Sequence, residues 1–248
     1  MPNLLLILLI AIVAERVCGA WTFGSRESTT KAGVVCSQIE VKSDDDQAKI
    51  WLIRFDPGQH RLAVIASDGD AAPDAESIVR ETRALAAVNG GYFQSNFEPV
   101  GLLIADSKLM HPGAKAKLLT GTLYVRDNHP FITRSGTQTK LAGITAAIQC
   151  GPLLVENRRA VSGLNDEKVA PRTFVLQFAN GKWGFGICRS VTLAQMAEIL
   201  AATGFQPDTA VEKALNLDGG SSTQFYFAAE SPVASPTWAT VANFLVLH

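Results

Sequence analysis

Asn216-Leu217-Asp218-Gly219-Gly220-Ser221-Ser222-Thr223 sets one carboxylate against two glycines and three hydroxyls. Paired glycines let the backbone turn and let a ligand come close. Successive amides in such a turn form an anion-binding nest, to which Ser221 and Ser222 add donors. Asp218 at the mouth of that nest suits a substrate that is anionic at one end and needs a base or nucleophile at the other. Read alone, the octapeptide is equally a tight turn whose Asp and Ser satisfy its own backbone.

Three more glycine- or proline-marked loops follow or open strand-like runs: Asn89-Gly90-Gly91-Tyr92-Phe93, Gln149-Cys150-Gly151-Pro152 and Pro171-Arg172-Thr173. Arg172 is the residue type for two-pronged phosphate binding. Glu98 is a candidate second carboxylate. His60, His111, His129 and His248 all fall outside these loops. No Gly-x-Ser-x-Gly elbow surrounds Ser221 or Ser222, which argues against a serine hydrolase.

The elements that must carry these loops are mostly strands. β-branched and aromatic runs occupy 33–41, 50–55, 61–67, 86–88, 100–105, 122–126, 144–149, 174–178, 183–188, 213–218, 224–227 and 242–247. Asp56-Pro57-Gly58 reads as a hairpin turn, and Ser43-Asp44-Asp45-Asp46 as a solvated turn lacking the EF-hand glycine and closing glutamate. Helices are expected near 74–86, with Ile78, Thr82 and Leu85 inward, and 193–203, opened by Thr192 with Gln195 three residues on and stopped by Gly204. The expectation is a single α+β domain over 33–248, with a mixed, largely antiparallel sheet and at least two helices.

Residues 1–20 stand apart. The apolar run from Leu4 to Ala14 is too short to span a bilayer but matches a signal-peptide core, with small residues suiting cleavage after Ala20. Residues 21–32 are polar and expected to be loosely held. Lys and Arg (22) nearly balance Asp and Glu (23), and no basic face for nucleic acid is visible. Beyond the leader remain Cys36, Cys150 and Cys188, in no zinc pattern. A Cys150–Cys188 bridge and three buried thiols are both compatible with them.

Taken together and in order, the four loops resemble those of the phosphodiester glycosidase family, over roughly residues 60 to 247. The family carries an Asn-Gly-Gly-aromatic-Phe segment, a later Gly-Pro, an Arg-Thr, and Asn-Leu-Asp-Gly-Gly-Ser-Ser near the end. The chain departs from it at Phe174-Val175-Leu176 and at Gly186-Ile187-Cys188-Arg189-Ser190, which leaves the sugar open. The resemblance implies an exported hydrolase, periplasmic or secreted. It would cleave the bond between a sugar C1 and a phosphodiester oxygen, in a sugar phosphate or an envelope polysaccharide. Asp218 would be nucleophile or base. The phosphate would meet Arg172, Thr173, Gly219, Gly220, Ser221 and Ser222. The sugar would meet Asn89, Gly90, Gly91, Gln149 and Gly151, with Tyr92 or Phe93 stacking on the ring. No cofactor is required by that chemistry, although Asp218 and a substrate phosphate could share a divalent ion. A metal-assisted phosphodiesterase and a non-catalytic phosphoglycan-binding protein are the alternatives. After leader removal no membrane span is expected.

Overall fold

The computed structural model describes residues 21–67, 73–136, 141–236 and 238–248. The expected leader therefore lies outside the described residues. In chain order the elements are β1 (Thr22–Lys31), β2 (Val34–Lys42), β3 (Gln47–Phe55), β4 (Leu62–Ala66), α1 (Ala75–Thr82), β5 (Ala86–Asn89), β6 (Leu103–Ala105) and β7 (Lys108–His111). Next come β8 (Gly121–Arg126), β9 (His129–Arg134), β10 (Ile144–Cys150), β11 (Leu153–Glu156), β12 (Arg159–Ala160), β13 (Ala170–Phe178) and β14 (Trp183–Val191). Helix α2 (Leu193–Ala201), β15 (Val211–Asn216), a short 3-10 turn (Gly220–Ser222), β16 (Phe225–Phe227), β17 (Val233–Ala234) and β18 (Asn243–Leu247) complete the chain.

The strands form three sheets: β1-β2-β3-β14-β13-β15-β11-β12, β7-β6-β10-β8-β9 and β17-β16-β5-β18-β4. Every pairing between these strands is antiparallel. With two helices among the described residues, the fold is mainly β and the helical share smaller than the α+β expectation. The three sheets meet at one core, where Phe55, Phe185 and Leu215 of the first face Leu123 and Ile148 of the second and Val88, Phe225 and Leu245 of the third. The opposite face of the large sheet packs Phe174 and Leu176 against Met196, Ile199 and Leu200 of α2. Strand β13 is buried on both faces from Arg172 to Leu176, and only Phe174-Val175-Leu176 of it reads as an apolar run; Pro171-Arg172-Thr173, expected as a loop, lies inside this strand because it pairs with β14. Truncating a fully buried side chain such as Phe174 costs about 3–5 kcal/mol.

Both helices start where their caps dictate. The Asp74 carboxylate accepts from the Ser77 amide at 2.8 Å while the Ser77 hydroxyl accepts from the Asp74 amide. Thr192 and Gln195 make the same reciprocal pair. Helix α1 stops at Thr82, short of the expected 86, because Arg83 turns left-handed (φ 55°) and the Leu85 amide donates to Leu247 in the third sheet. Likewise α2 ends at Ala201; Ala202 is already extended, and Gly204 (φ 96°) follows it.

Two further expectations are corrected. Residues 21–32 are not loose: β1 pairs along its length with β2, and Arg26 donates to Phe205 O and Gln206 Oε1. Asp56-Pro57-Gly58 does not close a hairpin, because β3 and β4 lie in different sheets. The turn carries the chain from one to the other. Cys36, Cys150 and Cys188 are buried free thiols, so no Cys150–Cys188 bridge exists. Burial pushes the Cys36 and Cys150 thiols up to about 12.

Candidate active site

Strand β15 ends at Asn216, and the amides of Asn216, Leu217 and Asp218 are taken by three different segments. Asn216 N donates to Pro152 O at 3.0 Å, Leu217 N to Thr173 O at 2.8 Å, and Asp218 N to Gly90 O at 3.0 Å. Four segments far apart in sequence are thus sewn together backbone to backbone around Asn216-Leu217-Asp218. The seam tolerates little bulk. A Cβ on Gly90 would lie 2.0 Å from Asn243 Oδ1, and the Gly90 amide donates to Asn243 O at 2.8 Å.

The Asp218 side chain is half-buried at this junction. Its Oδ1 accepts from Gly219 N at 2.8 Å, and the Ser222 hydroxyl also bonds to it. Burial outweighs both contacts and raises the carboxyl above its ordinary value of 3.8. Among the described residues no Lys or Arg pairs with it. The turn then runs through Gly220, which has φ 65° and open space where a Cβ would stand. The Gly220 and Ser221 amides meet no acceptor among the described residues, and Ser221 is exposed. This is a carboxylate kept partly out of water beside two free N–H donors.

Arg172 approaches the same cluster from β13 and is buried, with no carboxylate partner among the described residues. Its Nε donates to Val191 O at 3.2 Å and its Nη2 to Lys168 O. The guanidinium edge suited to a two-pronged phosphate grip is therefore already occupied. Arg172 offers the site its positive charge and Nη1 instead. Desolvation lowers its affinity for the proton, while Tyr92 and Cys188 oppose that. The Tyr92 hydroxyl donates to Gly151 O at 2.5 Å and receives Asn216 Nδ2 at 3.2 Å. Burial, with Cys150 and Asp218 nearby, pushes the phenol upward, so it stays protonated.

Several residues expected to touch substrate instead support the site from below. Asn89 is fully buried: Nδ2 donates to Asp218 O at 2.7 Å, and Oδ1 accepts from Thr173 Oγ1 at 2.7 Å and Gln224 N at 3.1 Å. Gln149 clasps the neighbouring loop, accepting from Leu102 N and Ala114 N and donating to Ala114 O. Thr173 is likewise inaccessible. Phe93 stacks on Phe97 with centroids 5.6 Å apart. Glu98 is exposed on the loop closed by the Phe93–Pro99 bridge. Its carboxylate makes no hydrogen bond or ion pair among the described residues, so Asp218 is the carboxylate the fold builds into the cluster.

Sequence reasoning passed over two members. Asn216 Nδ2 also donates to Gly151 O at 2.9 Å, locking Tyr92 and the Gly151 loop to β15. Asn243 Oδ1 accepts from Gly91 N at 2.6 Å. The signal for both was a lone amide inside an apolar run, Leu215-Asn216-Leu217 and Ala242-Asn243-Phe244. Such a residue buried in a strand must find partners, and here the partners are the site loops. Among the described residues no three His, Cys, Asp or Glu side chains gather to hold a metal ion. A cation at Asp218 would take further ligands from substrate or water.

The fold is similar to those of proteins with little shared sequence. A hypothetical protein from Synechocystis superposes with TM-score 0.63 at 16% identity, over 90% of this chain and 64% of that one. This chain thus spans just under two thirds of that protein. The zebrafish N-acetylglucosamine-1-phosphodiester α-N-acetylglucosaminidase catalytic domain, auto-inhibited by its pro-peptide, gives TM-score 0.61 at 18% identity, over 94% and 88%. A Burkholderia pseudomallei protein described as exported gives 0.56 at 13%, over 81% and 74%. No curated protein matches in sequence. The phosphodiester glycosidase family model matches residues 82–248, the stretch that holds all four segments gathered around Asp218. The chain belongs to the phosphodiester glycosidase family.

Proposed function

We propose that this chain is an exported hydrolase that cleaves the sugar C1–O bond of a sugar-1-phosphodiester or a related envelope glycan linkage. The observation that carries the reading is the Asp218 carboxylate, raised by burial and, among the described residues, without a cation partner, beside the Gly220 and Ser221 amides that meet no acceptor there. A phosphomonoester is a good leaving group, so a strong general acid is unnecessary. What the reaction demands is a group to attack or to activate water at an oxocarbenium-like carbon, and donors to hold the departing charge.

Asp218 serves the first demand. A carboxylate desolvated to this degree is a better base and nucleophile than one in water. The Gly220 and Ser221 amides, the Ser221 hydroxyl and the charge of Arg172 serve the second. The buried Asn89, Thr173, Asn216 and Asn243 hold these groups in place without touching substrate. Export rests on the leader-like residues 1–20 and is in keeping with the Burkholderia pseudomallei protein of similar fold that is described as exported.

The test is turnover of a panel of sugar-1-phosphodiesters by the chain from Trp21, with and without chelator, beside Asp218→Asn. Release of free sugar that the substitution abolishes and chelation spares is the expected result. Turnover lost on chelation would favour a metal-assisted phosphodiesterase. Binding without turnover in both proteins would favour a phosphoglycan-binding role.

A further inference from the structure

A row of side chains runs from the Asp218 loop across the end of the large sheet to Trp51, beside a basic pocket. Ile187 of β14 lies opposite Trp51 of β3 on one side and Thr173 of β13 on the other, and Thr173 O accepts from Leu217 N. Residues opposite one another in antiparallel strands project to the same face. Ile187 and Leu217 both belong to the core shared by the three sheets, and Trp51 packs against it. Trp51 therefore shares a face with the residue next to Asp218, three strand spacings away, roughly 14 Å.

One step further toward the strand ends, Lys49 lies opposite Arg189. Next across comes Pro171, whose carbonyl oxygen would lie 2.8 Å from a Cβ on Gly219. The second row thus leads to the anion-binding turn itself. Here β14 carries a bulge: Ala170 pairs with Val191 and Arg172 with Cys188, so that Arg189 and Ser190 together oppose Pro171. Ser190 takes φ 60° to allow it. A bulge of this kind re-aims the side chain beside it, and Arg189 is exposed with its guanidinium 5.3 Å from the centre of the Trp51 ring. Lys49 Nζ stands 6.0 Å from the same ring. These two cations and Lys42 line a cavity of about 340 Å³ that contains one acid, Glu40. None of the three cations has an ion-pair partner among the described residues.

We propose that this pocket is a second phosphate subsite, on the aglycone side of the scissile bond. The substrate is then a repeating glycosyl-phosphate polymer, whose chain lies along the sheet end and presents a further phosphate to Lys42, Lys49 and Arg189. Trp51, whose ring carries Arg189 at 5.3 Å and Lys49 at 6.0 Å, positions these two cations for that phosphate. Three unpaired cations in a chain of net charge −1 are a local feature, suited to a substrate with spaced charges. The inference rests on the hydrolase reading for its substrate class and on the pocket alone for its location.

The test compares two probes, an N-acetylhexosamine 1-(methyl phosphate) and a tetramer of N-acetylhexosamine-1-phosphate units, with the wild-type chain, K49E/R189E and W51A. The charge reversals lie at the strand ends, and thermal unfolding checks that they leave the fold intact. The wild-type chain is expected to favour the tetramer in kcat/KM. K49E/R189E should lower that tetramer-to-monomer ratio by about tenfold, as loss of two charge-assisted contacts implies, with W51A moving it the same way. An unchanged ratio in K49E/R189E overturns the subsite. If the wild-type chain hydrolyses neither probe, the hydrolase reading fails, and calorimetric binding of the tetramer decides the subsite by itself. An affinity about tenfold weaker in K49E/R189E upholds it; equal affinity, or no binding to either protein, overturns it.

Discussion

Asn89 donates a side-chain hydrogen bond to the backbone carbonyl of Asp218 at 2.7 Å, across 129 residues of sequence. Its side-chain oxygen Oδ1 accepts from Thr173 Oγ1 and from Gln224 N. One buried side chain thus fixes three of the segments that meet at the carboxylate. Asn89→Ala leaves a hydroxyl, an amide and a carbonyl short of partners in a dry place. A stability loss of about 2–4 kcal/mol in urea unfolding is expected. At temperatures where the variant remains folded, kcat should fall much more than KM rises, because the reacting group is displaced while the surface that binds substrate persists.

The carboxyl of Asp218 is raised by burial, and the sign of its effect on stability follows. Between its ordinary value of 3.8 and its raised value, the unfolded chain has released the proton while the native chain retains it. Stability therefore falls as pH rises through that window and carries no contribution from this group below it. Asp218→Asn should raise Tm near about pH 7 and leave it nearly unchanged below the ordinary carboxylate value, as scanning calorimetry would record. Activity runs the other way. The acidic limb of kcat/KM should lie above 3.8, since the ionised form does the work.

Much of this arrangement was legible in the sequence. The glycine-marked segments were visible as breaks and the strands bearing them as β-branched and aromatic runs, whereas Pro171-Arg172-Thr173 read as a loop and is part of β13, where proline and arginine interrupt the apolar signature. β1 was not legible: as an edge strand with one apolar residue inside it, Phe23, it owes its place to pairing with β2 and to Arg26. The roles within the site were harder still. Asn89 and Gln149 carry the donors and acceptors a sugar would need, and only the fold shows that protein atoms already occupy them.

Two glycines give opposite predictions. Gly90→Ala forces a methyl group to within 2.0 Å of Asn243 Oδ1 and should unseat the loop, costing about 2 kcal/mol or more together with activity. Gly220→Ala meets nothing within 4 Å, and its φ of 65° makes the cost about 1–2 kcal/mol of backbone strain. It should remain folded yet lose activity on the order of tenfold or more, as the free amides shift away from the leaving phosphate. Chemical denaturation beside steady-state kinetics separates the two cases.

Arg172 brings charge to the site while tying Val191 O and Lys168 O. Arg172→Lys keeps the charge but cannot span both carbonyls. Its expected cost is about 1–2 kcal/mol of stability. Arg172→Met removes the charge as well. The Met variant should raise KM for an anionic substrate about tenfold further than the Lys variant. Equal KM in the two would mean that Arg172 serves the backbone alone.

The central claim is that Asp218 directs attack at the sugar carbon and not at phosphorus. Hydrolysis of a sugar-1-phosphodiester in heavy-oxygen water, followed by mass spectrometry of both products, tests it most directly. The account predicts label in the released sugar, none in the phosphomonoester, and a rate loss on the order of 10³-fold or more in Asp218→Asn. Label in the phosphate, or undiminished turnover in Asp218→Asn, would contradict it.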